Sequence, residues 1–205
     1  MSQEVFELVC GMDMEEVETR LALQCAPLIA GIKISNLLIV PGNGEKALKM
    51  ILESTDISYY LFLKQGEKST YLLFRKNELI NFLSQETVRE ILSEAGYQEL
   101  ELGAILRRFQ KRYQFYMEKK GTFPHEMGLL LGYPVEDVKG FIVHDGKNFL
   151  YSGYWKVYTD VSEKMRLFRK FETARENLVQ WVSDGFGIQE AIRRGSQVEF
   201  GARTA

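Results

Sequence analysis

The 205-residue chain is 45% hydrophobic and 26% charged with a formal net charge of −2, an ordinary globular balance with no basic excess for nucleic-acid phosphates. No apolar run approaches the ~18 residues of a membrane span, and Met1-Ser2-Gln3-Glu4 carries acid where a secretory signal carries Lys or Arg. Two cysteines, Cys10 and Cys25, are too few for a disulfide framework or a zinc site, so the expected setting is the cytoplasm, with reduced thiols and no metal.

In chain order, residues 1–13 are weakly patterned and expected to be partly irregular. Met14 to Cys25 reads as a helix capped by Asp13, with Glu15, Glu16 and Glu18 in its early turns. It should stop where Pro27 biases Ala26 away from the helical region. Gly31 to Val40 starts with alternation and ends as an apolar run, the pattern of a strand buried toward its end. Pro41-Gly42-Asn43-Gly44 turns the chain into a short helix from Glu45 to Ser54. Glycines and Lys46 at a helix start can hold phosphate, but the full phosphate-loop spacing is missing and Glu45 opposes an anion, so a plain turn is expected.

Ile57 to Lys64 and Ser69 to Arg75 are the clearest strands, separated by Gln65-Gly66-Glu67-Lys68 at hairpin spacing. Helices follow over Asn77–Leu83, Gln85–Ala95 and Glu99–Lys119. The last has a stripe of Leu102, Leu106, Phe109, Tyr113 and Tyr116 at helical spacing, with Arg107, Arg108, Lys111 and Arg112 opposite. Next comes a helical hairpin over 122–142: Thr122 as cap, Pro124 in the first turn with His125 and Glu126, Gly132 as stop, and a second helix from Val135 to about Ile142. Lys147 to Tyr158 reads as one aromatic strand, with Tyr154, Lys156 and Tyr158 on one face and Trp155 and Val157 on the other. Asp160 with Glu163 makes a capping-box-like start to a long helix, Val161 to Val182. The expected architecture is a single α+β domain over 1–182, a small, mostly antiparallel sheet packed with several helices, followed by a loose tail over 183–205.

Three residue sets could carry chemistry. Cys25, His125 and Glu126 could combine a thiol with an imidazole oriented by a carboxylate. Against this, a thiol at a helix C-terminus is raised in pKa, which favours a structural cysteine. Tyr154, Trp155 and Lys156, with Lys33 and Arg75 from other strands, could receive a planar or anionic ligand. The helical hairpin also has the spacing of a DNA-binding helix-turn-helix. Its second helix nevertheless opens with Glu136 and Asp137, where phosphates would lie, so helix packing without nucleic acid is expected.

Pro124-His125-Glu126-x-Gly128, Leu131-Gly132-Tyr133-Pro134-x-x-Asp137-Val138-x-Gly140-Phe141-Ile142 and Gly153-Tyr154-Trp155-Lys156-Val157-Tyr158 together resemble an uncharacterised bacterial family. It is a domain of unknown function with a Pro-His-Glu motif, found mainly in anaerobic Firmicutes. Cys25-Ala26-Pro27-x-x-x-Gly31-x-Lys33 resembles that family's N-terminal pattern. The likeness covers about residues 15–175, with the tail after about 180 as an extension. The resemblance implies a cytoplasmic bacterial protein with no assigned activity or cofactor, with genes sometimes near those of flavodoxins. It also implies that Cys25, Lys33, His125, Glu126, Tyr154, Trp155 and Lys156 share a site.

The leading expectation is therefore a small-molecule-binding protein, with catalysis left open and the cofactor unknown. Its pocket would lie between the hairpin and the aromatic strand. His125 would be the acid–base or ligand-contacting group, Glu126 its partner, Cys25 a nearby thiol, and Lys33, Arg75 and Lys156 the cations for an anionic ligand. The alternative is a non-catalytic interaction protein for a redox partner such as a flavodoxin, docked on the basic face. A helix-turn-helix regulator ranks third, and no membrane partner is expected.

Overall fold

The clearest alternation in the chain becomes the sheet. β1 (Ser35–Pro41), β2 (Ile57–Gln65) and β3 (Lys68–Arg75) pair antiparallel in the order β1-β3-β2. The computed structural model describes residues 2–194. Among them are ten helices and a second, two-stranded antiparallel sheet of β4 (Tyr151–Ser152) and β5 (Lys156–Val157), an α+β fold. No helix among the described residues is long and apolar enough to cross a membrane.

β3 is central and buried from Ser69 onward, so side chains leave it alternately toward two different cores. Tyr71 and Leu73 join Leu38, Val40 and Ile57 on one face, where α2 (Val17–Ile29) packs between the sheet and α9 (Val161–Ser183). Helices α1 (Gln3–Gly11), α3 (Gly44–Leu52) and α10 (Ile188–Arg194) complete that side. Leu72 and Phe74 point the other way, with Phe62, into a core built by α4 (Lys76–Leu83), α5 (Glu86–Glu94), α6 (Leu102–Met117), α7 (Met127–Leu130) and α8 (Val135–Val143). Phe62 reaches this second core through a bulge, the register against β3 slipping between Leu61 and Leu63. Its ring lies 4.8 Å from that of Phe109 on α6.

Several boundaries differ from the local expectation. α2 does not stop at Cys25 but runs through Pro27 to Ile29. Leu28 and Ile29 are buried there, which offsets the ~3 kcal/mol cost of an internal proline. The helix ends in a Schellman turn: Gly31 N–H donates to Leu28 O and Ile32 N–H to Pro27 O. Residues 3–11, expected to be partly irregular, form α1 with Ser2 as side-chain cap. Asp160 precedes α9 in the left-handed region at φ 48° and makes no side-chain cap bond, so the capping box does not form. The expected aromatic strand over 147–158 is broken into β4 and β5, two residues each, folded back as a hairpin around Gly153. Where a loose tail was expected from residue 183, α10 forms and buries Ile188, Ala191 and Ile192 in the first core. The remainder of that tail, 195–205, lies outside the described residues.

Candidate functional site

The second core does not close. Past Phe109 the apolar stripe of α6 continues as Tyr113, Tyr116 and Met117, and here these side chains wall a partly open cavity of about 620 Å3. The segment after α6 brings Phe123 and His125, the residue after α7 is Leu131, α8 brings Phe141, and β5 with the residue before it brings Lys156 and Trp155. Gly132 makes the turn between α7 and α8 possible at φ 65°, donating to Leu129 O while Tyr133 N–H donates to Gly128 O. A Cβ at Gly132 would also stand 2.5 Å from Ile34 Cγ1. The turn delivers Tyr133 to stack on Trp155, centroids 4.8 Å apart and 27° between planes.

Few polar groups reach this wall, and they divide into used and unused. Asp137 is engaged through both oxygens. One oxygen accepts from Trp155 Nε1 at 2.7 Å, the other from Tyr158 N–H at 2.7 Å and Thr159 N–H at 3.3 Å. It holds the β4–β5 hairpin on α8. His125 is unused. Its ring sits between Phe123 and Phe141, centroids 5.8 and 5.3 Å away, and its Nδ1 is buried with no hydrogen-bond partner. A bare lone pair costs less in such a setting than an unbonded N–H, which places the proton on Nε2. Lys156 Nζ donates to Gly146 O at 2.6 Å and lies 5.6 Å from the Phe141 centroid and 4.9 Å from that of Phe149. Two of its three donor positions have no protein partner. His125 and Lys156 are thus brought together across one ring, Phe141.

The other expected residues are placed elsewhere, each for a visible reason. Glu126 is not the partner of His125. Its carboxylate turns the opposite way, is 2% exposed, and accepts from Arg112 Nε at 2.5 Å and Tyr97 Oη at 2.9 Å. Burial first, and the Glu126 charge second, push the Tyr97 phenol well above its usual range. The short helix α7 also begins after this residue, so His125 and Glu126 precede it instead of sitting on its first turn. Cys25 is fully buried in the first core, its thiol directed at Leu37 O at 3.7 Å. Burial pushes that thiol up to about 12, so it is protonated and a poor nucleophile. The thiol–imidazole pair does not form.

Arg75 also belongs to the frame. It ion-pairs with Asp56, and its Nη2 donates to Leu28 O at 3.2 Å, satisfying the end of α2. Tyr154 faces a separate hollow beside Phe168, its hydroxyl donating to Glu172 at 2.6 Å. Lys33 lies just behind the cavity wall. Its Nζ donates to Asn36 Oδ1 at 2.8 Å and stands 5.1 Å from the Tyr133 centroid. With no carboxylate beside it, burial brings its pKa down to about 8.

α8, the would-be recognition helix, is docked by its own first turn: Asp137 as above, and Glu136 at 2.9 Å from Lys164 of α9. Among the described residues, no group of three or more His, Cys, Asp and Glu side chains could hold a metal ion. Sequence reasoning missed Tyr116, Phe123, Tyr133 and Phe141 as wall residues. The available signal was a helical apolar stripe extending past the strands that could cover it.

Fold and cavity together define an α+β domain built around an aromatic-walled cleft, with one histidine and one lysine presented to it. The chain belongs to the family described as protein of unknown function (DUF3793), whose model matches residues 21–192. That match extends the likeness beyond residue 175 and includes most of α10. No curated protein matches the chain, and no solved structure does.

Proposed function

We propose that this protein binds a flat, largely apolar small molecule bearing an anionic or acceptor group in the cavity between α6, α7, α8 and β5. The observation that carries this reading is an aromatic-walled space of about 620 Å3 in which the His125 imidazole has a buried Nδ1 with no hydrogen-bond partner. That volume lies in the range of small-molecule sites, which are mostly apolar with a few placed polar groups. Here the placed groups are both donors: Nε2–H of His125 and the free N–H bonds of Lys156. They would meet the anionic end of the ligand, while Tyr133, Trp155 and Phe141 cover its flat faces. The carboxylates and the thiol expected to work with His125 are not available to it, because Glu126, Asp137 and Cys25 are engaged or buried. Binding is therefore a better description of the site than catalysis.

The test is a fluorescence titration with 1-anilinonaphthalene-8-sulfonate, a flat aromatic anion. One saturable site with Kd roughly in the 1–100 μM range is expected. His125→Leu and Lys156→Gln should each weaken it about tenfold, the loss of one hydrogen bond to a charged group. An absence of saturable binding, or binding indifferent to both substitutions, would overturn the reading.

A further inference from the structure

Another concavity lies outside the aromatic cleft, against the first turns of α6. It has a volume of about 270 Å3 and is lined by Gln98, Glu99, Ala104, Arg107, Arg108 and Lys111. We infer that this groove is a binding site for a small phosphate-bearing molecule, recognised by the paired guanidinium groups of Arg107 and Arg108 with Lys111 beside them.

The first argument is charge. Arg112, the next cation along the helix, is neutralised by Glu126. Among the described residues, Arg107, Arg108 and Lys111 have no carboxylate within ion-pair distance. Glu99 lines the same groove and pairs with none of them, so the groove keeps a surplus of two positive charges. The whole chain carries a formal net charge of −2, so this surplus is not the by-product of a basic protein.

The second argument is position. Three hydrated cations on a flat helix face would be an ordinary solvated surface. Here the Arg108 guanidinium packs against a ring, and both arginines lie over bare backbone. The Arg108 guanidinium lies 5.3 Å from the Tyr97 ring centroid. Its Nη2 is 2.9 Å from where a Cβ on Gly96 would stand, and Arg107 Nη1 is 3.3 Å from the corresponding point on Gly103. Two bare backbone positions therefore let the two forks lie down at the groove. A planar guanidinium fork matches phosphate oxygens two at a time, and the ring contact of Arg108 leaves less motion to be lost on binding. A ligand with two or more negative charges suits three cations and one opposing carboxylate.

The test is isothermal titration calorimetry of the full chain with inorganic pyrophosphate at low salt. One site with Kd below about 1 mM is expected. Affinity should fall at least tenfold in the Arg107→Gln/Arg108→Gln double variant. It should change less than twofold in Lys68→Gln/Lys170→Gln, two exposed lysines elsewhere. Failure to saturate at about 10 mM pyrophosphate overturns the inference. So does an equal loss in both double variants, which would mark diffuse attraction. Binding of a glutamate-rich peptide through the same arginines without pyrophosphate binding also overturns it, in favour of a protein-docking face. The substituted side chains are exposed, so an unchanged melting curve confirms that each variant is folded.

Discussion

The two faces of the central sheet have been finished differently. On the α2–α9 face, Leu21, Ala22, Cys25, Ala26, Leu28, Leu38 and Val40 are all fully enclosed, and of the polar groups that enter, Tyr71 Oη and Arg75 Nε are left without a partner while others are answered. Arg75 meets Asp56 and helix carbonyls, and Cys25 meets a carbonyl and Asn36. On the α6–α8 face the same kind of aromatic and aliphatic material leaves a cavity, and a histidine within it is answered by nothing. A sealed face is spent on stability. An unsealed face with an unpartnered donor gives up some stability for a place where something else can fit.

Mutations should separate the two faces. The largest effect belongs to the sealed one: Leu28→Ala should cost about 3–4 kcal/mol, as for other fully buried leucines that leave a cavity, read from urea unfolding midpoints. A cost below about 1 kcal/mol would mean that this face is not close-packed.

A smaller effect is pH-dependent and comes from Lys33, at the border between the faces. Its folded pKa of about 8 lies below the ordinary 10.5, so between those values the unfolded chain holds the extra proton and stability rises with pH. Cys25 has the opposite sign. With a folded value of about 12 against 9.0, it lowers stability as pH climbs from 9 to 12. Unfolding free energy should therefore rise from pH 8 toward 9 and turn down above about pH 10.5. Lys33→Met should abolish the rise and add on the order of 2 kcal/mol at pH 7. A rising limb that survives in Lys33→Met would remove Lys33 as its cause.

The smallest stability effect is expected in the cavity. His125→Leu removes a buried nitrogen that bonds to nothing, and should be neutral or stabilising by up to about 1 kcal/mol, while weakening dye binding as described above. A destabilisation comparable to Leu28→Ala would place His125 in the supporting core and erase the contrast between the faces.

Much of this frame could be read from residue order, and the failures share a cause. Alternation in 57–64 and 69–75 and the glycine at 132 are local signals, and each reported its own backbone faithfully. Pro27 is a local signal that tertiary burial of Leu28 and Ile29 overrode. The aromatic run over 147–158 has strand composition, yet Trp155 bonds to Asp137 and packs on Tyr133 and Phe168, and this folds the run into a hairpin. The site was legible in part. His125, Trp155 and Lys156 do line one cavity. Glu126 was misassigned because adjacency in sequence says nothing about direction, and its carboxylate found Arg112 and Tyr97 instead. Cys25 was misassigned because a thiol looks the same in sequence whether buried or presented.

The pairing of α2 with α9 joins residues 17–29 to residues 161–183, whereas the cavity is walled almost entirely by residues 113–156, with Leu37 the exception. During synthesis, the side of α2 that meets α9 emerges early and waits uncovered while most of the chain is made. The α6–α8 region can collapse on short loops in that interval, at little loop-closure cost. The face that ends as the more fully enclosed one is therefore the later to close, and until then it is the part of the nascent chain most in need of protection from aggregation.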